Sequence, residues 1–194
     1  MIRFERVSFQ YEPEKKLLQE LTFEIPDGSR VCLSAASGKG KTTVFRLLLG
    51  LERPSAGKIS GMEGKTVSVV FQEDRLIPWK TVLENITLFL PASLPVSERE
   101  DRAASMLTEL GLKGAERMLP KELSGGMGRR AALARALCHD SDILILDEAF
   151  TGLDGETRRI CLEITDRYAE HRTLLMTSHD LSDAEALRAK ILQL

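Results

Sequence analysis

The 194-residue sequence predicts an α/β protein: a parallel sheet, an antiparallel strand pair at the N-terminus, and a helical region inserted into the core. Three observations carry this. Short apolar runs recur at 30–35, 66–71, 143–146, 174–177 and 191–194, each ending where polar or glycine-rich residues begin, which is the pattern of strands buried on both faces. Residues 2–11 and 17–25 instead alternate apolar and polar, as strands do when one face is covered. Finally, the interval of about 70 residues between the second and third apolar runs reads as helix.

In chain order, Ile2, Phe4, Val7, Phe9 and Tyr11 mark the first strand, and a polar turn around Pro13 leads to the second. Pro26-Asp27-Gly28 makes the next turn. The strand at 30–33 runs into a glycine-containing loop and a helix ending near Gly50. After the strand at 67–71, residues 97–110 place Ala103, Met106, Leu107 and Leu110 on one helical face. A further helix spans 129–137, and the chain closes with a helix at 181–190 and a strand at 191–194. The expected organisation is one domain over 1–194, with an α/β core from 1–72 and 139–194 and a helical subdomain from 73–138.

Composition excludes several classes. Twenty-seven Lys and Arg against 29 Asp and Glu leave a net charge of -2, so generic nucleic-acid binding is not expected. Cys32, Cys138 and Cys161 sit alone in apolar or helical surroundings, without a C-x-x-C or a histidine at ligand spacing, which predicts neither a disulfide framework nor a zinc site and suits a reducing compartment. The N-terminus opens on a strand pattern and shows no secretory signal. The most apolar stretch, 86–96, is interrupted by Pro91 and Pro95 and is too short to span a bilayer, so a membrane role has to come through a partner.

Three segments carry chemistry. The first follows the strand at 30–33: Ser34, Ala35, Ala36, Ser37, Gly38, Lys39, Gly40, Lys41, Thr42, Thr43. Glycines 38 and 40 allow successive backbone N–H groups to form an anion nest at a helix N-terminus, Lys41 brings a charge to β/γ-phosphates, and the Thr42 hydroxyl suits Mg²⁺. Lys39, inside the loop, is either solvated, the preferred reading, or adds charge near the nucleotide as one of the ATP-binding residues. The second is an apolar strand ending in Asp147 and Glu148. Placed on a strand neighbouring the phosphate loop, Asp147 can hold Mg²⁺ through water while Glu148 reaches the water that attacks the γ-phosphate. The third, Leu123-Ser124-Gly125-Gly126-Met127, precedes a helix and forms a second anion site, which invites dimerisation.

On these segments the sequence resembles the ATP-binding subunits of ABC transporters along essentially its whole length. The phosphate loop matches the family's Walker A, 123–127 its LSGGQ signature and 143–148 its Walker B. Gln72 matches the Q-loop glutamine, Gly152-Leu153-Asp154 the D-loop, and His179 the switch histidine; Tyr11 matches the adenine-stacking aromatic, with simple packing as the other reading. The stretch 70–86 is most similar to nitrate, sulfonate and taurine importers. Three positions depart from the pattern: Ala35 in place of Gly, Arg129 in place of Gln, and Ala149 in place of Pro.

The resemblance implies a P-loop NTPase (RecA-like) fold. It also implies ATP and Mg²⁺ as ligands, the metal held by Thr42, Gln72 and Asp147, with Glu148 and His179 as the catalytic pair and His179 bonding the γ-phosphate. Two subunits, identical or not, would pack head to tail, so that Ser124, Gly125, Gly126 and Met127 of one meet the ATP of the other. The partners implied are integral-membrane permease subunits and an extracytoplasmic solute-binding protein; the location is the cytoplasmic face of the plasma (inner) membrane. A soluble ATPase acting on ribosomes or DNA and a non-hydrolysing nucleotide-gated module stand as alternatives. Arg129, Arg130 and Arg135 are expected to pair with the core or the dimer partner rather than with nucleic acid, and His139 and His171 to be surface residues. Trp79, the one tryptophan, lines either a groove for the permease or the core.

Overall fold

The structure, a computed structural model, describes residues 1–12, 15–36 and 38–194; the turn around Pro13 and residue Ser37 lie outside it. Strands β1 (Ile2–Glu12) and β2 (Lys15–Ile25) pair antiparallel, with Ile2 opposite Ile25 and Phe4 opposite Phe23. The register breaks between Phe4 and Val7, where Arg6 takes a left-handed φ of 48°. That bulge changes the phase of the strand: Ile2 and Phe4 face inward before it, Val7 and Phe9 after it, and all four are buried. A strict two-residue alternation would have turned Arg6 and Ser8 into the core.

Strand β3 (Arg30–Ser34) begins the second sheet and leads through the glycine loop into α1 (Lys41–Leu48). Next comes β4 (Ala56–Ser60), which the sequence reading left out. It pairs antiparallel with β1, placing Ile59 opposite Phe4, and completes a three-stranded sheet in the order β2-β1-β4. Its single large apolar residue gives no periodicity, so the strand exists because β1 offers an edge. Gly57 (φ +83°) is needed there, since a Cβ would lie 2.3 Å from the carbonyl oxygen of Arg6 at the bulge.

The remaining strands, β5 (Val67–Val70), β6 (Ile143–Asp147), β7 (Thr173–Thr177) and β8 (Lys190–Gln193), join β3 in an all-parallel sheet of order β5-β6-β7-β3-β8. The sheet divides two cores. Ile143 and Ile145 of β6 pack with Val31, Leu33, Leu175 and α1 on the side of the antiparallel sheet. Leu144 and Leu146 face the other way, with Leu174, Met176 and the helical region. Burial on both faces is why these strands read as unbroken apolar runs.

The helical region comprises α2 (Val82–Thr87), α3 (Val96–Glu109) and α4 (Gly125–Cys138). Thr81 and Glu84 form a reciprocal capping box at the start of α2. On α3 the expected face is buried through Ala103, Met106 and Leu107, with Leu110 buried at its C-cap. Helix α4 begins four residues earlier than expected, at Gly125, because Ser124 caps it. Helix α5 (Gly155–Tyr168) follows β6, and α6 (Leu181–Ala186) stops short of the expected residue 190, where Arg188 turns left-handed (φ 53°) to start β8. Among the described residues no helix is long and apolar enough to cross a membrane. The three cysteines are buried and free, and desolvation pushes the thiols of Cys138 and Cys161 up to about 12 and about 11.

One buried polar side chain organises the entry to α2. Asn85 is fully buried; its Oδ1 accepts the N–H of Ile77 (2.7 Å), and its Nδ2 donates to the carbonyls of Ile77, Lys80 and Thr81 (3.0–3.2 Å). This single amide closes the 77–81 loop that displays Trp79. Asn85→Leu removes the partner of the Ile77 N–H and of the Lys80 carbonyl, while the carbonyls of Ile77 and Thr81 keep the N–H groups of Lys80 and residue 85, and is expected to lower unfolding stability by roughly 2–4 kcal/mol, read as a shift of the urea midpoint.

Candidate functional site

The glycine loop lies between β3 and α1, and its backbone shows why two glycines are required. Gly38 and Gly40 have φ of +75° and +93°, and Gly40 occupies the N-cap position of α1, where a Cβ would come within 2.8 Å of Leu18 Cδ2. Ala35 is not among the residues with positive φ, so the departure from Gly introduces no backbone strain. Lys41 Nζ donates to the Ala35 carbonyl at 2.8 Å, folding the lysine back along its own loop. Ala36, Gly38 and Lys39 are exposed, and Thr42 is partly buried. Thr43 is buried, and its hydroxyl lies 3.4 Å from the Tyr11 hydroxyl.

Tyr11 stands at the end of β1, more than half exposed, with its ring edge-on to Phe9 and its hydroxyl accepting from Arg46. Tyr11, Glu12, Leu17 and Gly38 line a small recess beside the loop. Simple packing in the core would have buried the ring, and the structure leaves it exposed.

The carboxylates at the end of β6 sit differently from expectation in one respect. The phosphate-loop strand β3 is not the neighbour of β6, because β7 lies between them. Sheet order cannot be read from chain order when every connection is a crossover, and helix α1, which packs over β6, bridges the gap. Asp147 is almost wholly buried, and its Oδ1 accepts the Thr177 hydroxyl at 2.7 Å. Glu148 is held in a left-handed conformation (φ 52°), with its N–H donating to both the carbonyl (3.2 Å) and the hydroxyl (3.0 Å) of Thr177. From that turn its carboxylate meets two of the residues singled out in the sequence, a contact the sequence did not predict: Gln72 Nε2 donates to Oε2 at 3.4 Å, and His179 Nε2 lies 2.8 Å from Oε1. Three residues from three separate segments of the chain thus converge. Thr177 was missed in the sequence, and only the pairing of Asp147 with Thr177 across β6 and β7 reveals it.

Thr42, Gln72 and Asp147 offer a hydroxyl, an amide and a carboxylate, a hard oxygen set that suits Mg²⁺. No group of three or more His, Cys, Asp or Glu among the described residues could hold a metal alone. Such a sparse set fits an ion bound largely through a nucleotide's own phosphates.

The signature segment lies elsewhere. Ser124 Oγ accepts the N–H of Met127 (3.3 Å) and caps α4, and Ser124 and Gly125 are exposed. Among the described residues, no hydrogen bond or ion pair joins Ser124, Gly125, Gly126 or Met127 to the phosphate loop, Glu148 or His179. Asp154 caps α5 by accepting the N–H of Thr157 at 3.0 Å, which holds its carboxyl below the usual range. The three arginines of α4 turn inward. Arg129 donates to the carbonyls of Phe71 and Gln72 and pairs with Asp74; Arg135 donates to those of Asp74 and Arg75; Arg130 holds Gly126, Leu110 and Gly111. Gly128 leaves room for this clamp, since a Cβ there would approach Asp74 Oδ2 to 2.6 Å. Burial raises the Asp74 carboxyl against the pull of Arg129 and Arg135. Of the other histidines, His171 is exposed and His139, partly buried, lies 3.3 Å from Ser68 Oγ.

Comparison with known proteins agrees with this geometry. The family model described as ABC transporter matches residues 18–151. An aliphatic sulfonates import ATP-binding protein of Rhodococcus jostii is 39% identical over 92% of this chain and 73% of its own length. A formylaminopyrimidine import ATP-binding protein of Halalkalibacterium halodurans is 35% identical over 98% and 78%. Among solved structures, a dimeric bacterial ABC transporter cassette superposes with a TM-score of 0.90 at 26% identity, covering 100% of this chain and 94% of that one. An ATP-bound exporter of the Atm1 family also superposes over the whole chain (TM-score 0.86, 26% identity), which occupies 36% of it.

Thr177→Val keeps the shape of a buried residue while removing the hydroxyl that serves both carboxylate positions. It is expected to lower kcat by about 10- to 100-fold with little change in nucleotide affinity, the loss corresponding to about 1–3 kcal/mol, measured by steady-state ATP hydrolysis beside equilibrium nucleotide titration.

Proposed function

Because the chain belongs to the ABC transporter family as an ATP-binding, ATP-hydrolysing subunit, we propose that it powers solute import through a separate membrane permease. One observation carries the enzymatic part of this reading: Gln72 and His179, distant in sequence, both contact Glu148. In this reading the N–H groups at the start of α1 and the Lys41 ammonium receive the β- and γ-phosphates, and Tyr11 receives the base. Glu148 orients a water and takes its proton as the water oxygen bonds to the γ-phosphorus, while the β,γ-bridging oxygen leaves with ADP. His179 fixes Glu148 and bonds the γ-phosphate. Mg²⁺, when bound by Thr42, Gln72 and Asp147 with the nucleotide, supplies charge neutralisation of the phosphates.

Dimerisation completes the site: Ser124, Gly125, Gly126 and Met127 of one subunit face the γ-phosphate held by the other, with Asp154 at the junction. The exposure of Ser124, Gly125 and Asp154 and the dimeric cassette among the similar structures support this. ATP then binds the closed dimer better than the open one, and that difference in affinity does the mechanical work. The inward-turned arginines of α4 leave no basic face there for nucleic acid, which argues against a ribosome- or DNA-directed ATPase. The contacts of Glu148 argue against a non-hydrolysing module. The import names of the relatives support the importer reading, with a solute-binding protein outside the membrane and this subunit on the cytoplasmic face.

Glu148→Gln is expected to bind ATP as the unaltered protein does and to lose about 10²–10⁴ in turnover; undiminished hydrolysis would remove Glu148 from its role. The permease contact is tested by Trp79. Its side chain is 75% exposed, which excludes core packing. Tryptophan emission is expected to shift to shorter wavelength when permease subunits in detergent are added, and an unchanged spectrum on a complex that co-purifies would place the contact elsewhere.

A further inference from the structure

Arg158 lies in the first turn of α5, just beyond the cap residue Asp154, and holds no role in the reading above. Its Nε donates to Asp183 Oδ1 at 2.8 Å, its Nη2 lies 2.8 Å from the same oxygen, and its Nη1 lies 3.0 Å from Asp180 Oδ2. Asp183 is 2% exposed, far below what a lone carboxylate tolerates, and its second oxygen accepts the Ser178 hydroxyl at 2.6 Å. Ser178 Oγ in turn accepts the N–H of Asp180 at 3.1 Å. Both neighbours of His179 are therefore tied, through Asp183 and directly, to one guanidinium. The imidazole between them is 60% exposed and gains its position from this frame and from Glu148 rather than from packing.

We propose that Arg158 and Asp183 are positioning residues for His179, holding the 178–183 segment at the distance from which its imidazole reaches Glu148 and tying it to the turn capped by Asp154. A planar fork bonded to two carboxylates fixes direction as well as separation, which a flexible ammonium does not. The hydrogen bond that Arg158 donates to Asp183 raises its guanidinium above the usual range, as expected of a paired cation. The inference rests on the assignment of His179 and Glu148 as the reacting pair.

The test is a double-mutant cycle with Arg158→Lys, His179→Ala and the double variant, in the full chain, following kcat, nucleotide affinity and Tm. Arg158→Lys is expected to lower kcat between about tenfold and a hundredfold with nucleotide affinity within about twofold, and to add nothing once His179 is already alanine. A loss of the same factor in both backgrounds overturns the proposal, because a fold-stabilising ion pair would act whether or not the imidazole is present. Asp183→Asn, which keeps the shape and one acceptor, repeats the cycle should Arg158→Lys lower Tm by more than a few degrees. If His179→Ala alone leaves kcat unchanged, the assignment of His179 fails and this inference with it; that outcome is distinct, since it appears before Arg158 is altered.

Discussion

The arrangement of the site depends on one strained residue. Glu148 follows a fully buried strand in a left-handed backbone conformation, which costs a residue with a Cβ on the order of 1–3 kcal/mol. The surroundings hold it there: its N–H is bonded twice to Thr177, and Ala149 and Phe150 immediately after it are buried. Extended backbone at 148 would carry the strand onward and send the carboxylate to the wrong face of the sheet. The turn instead leaves Asp147 inside, bonded to Thr177, and brings Glu148 out to Gln72 and His179. Two adjacent acids thereby acquire different surroundings and suit different tasks. Ala149 occupies a buried position, so the missing Pro withdraws none of the hydrogen bonds that fix the turn.

The residues meeting at Glu148 are each anchored from a distance. Gln72 follows β5, and its loop is held through the carbonyls of residues 71, 72, 74 and 75 by Arg129 and Arg135 of α4. Since Ser124 caps α4, these charge-assisted bonds, two of them partly buried, tie the capped helix to the glutamine loop. Arg129, in place of Gln, strengthens this coupling by bringing a charge to Asp74 that an amide does not supply.

What could be read in advance follows from the range of the interaction concerned. The core strands were legible because burial on both faces writes itself into consecutive residues, as in Ile143, Leu144, Ile145 and Leu146. The phosphate loop was legible because Gly38, Gly40, Lys41 and Thr42 act within one turn of chain. Strand β4 was not, because Ala56–Ser60 depends on an edge supplied some fifty residues earlier. The place of β7 between β3 and β6, the bulge at Arg6, and the service of Thr177 to two acids are likewise properties of pairing rather than of local pattern.

The pattern of helix starts bears on the two proposed anion sites more directly than any motif match. Of the six α-helices described, α2, α3, α5 and α6 carry an acid in the first turn, Glu84, Glu98, Glu156 and Asp183, each partly offsetting the positive end of the helix dipole. Helices α1 and α4 carry none. The first is capped by Gly40 without any side-chain bond, and the second by a serine hydroxyl rather than the carboxylates that cap α5 and α6. A hydroxyl that accepts one N–H still has its own proton to donate, whereas a carboxylate can only accept and would repel a phosphate. Both helices thus keep an uncompensated positive end and glycines that expose it, at the expense of about 0.3–1 kcal/mol each that an acid would have contributed. Stability alone does not favour that choice at two helices while favouring its opposite at four. A bound anion at the starts of α1 and α4 would complement both, and among the described residues no hydrogen bond or ion pair joins the start of α4 to the phosphate loop of its own subunit.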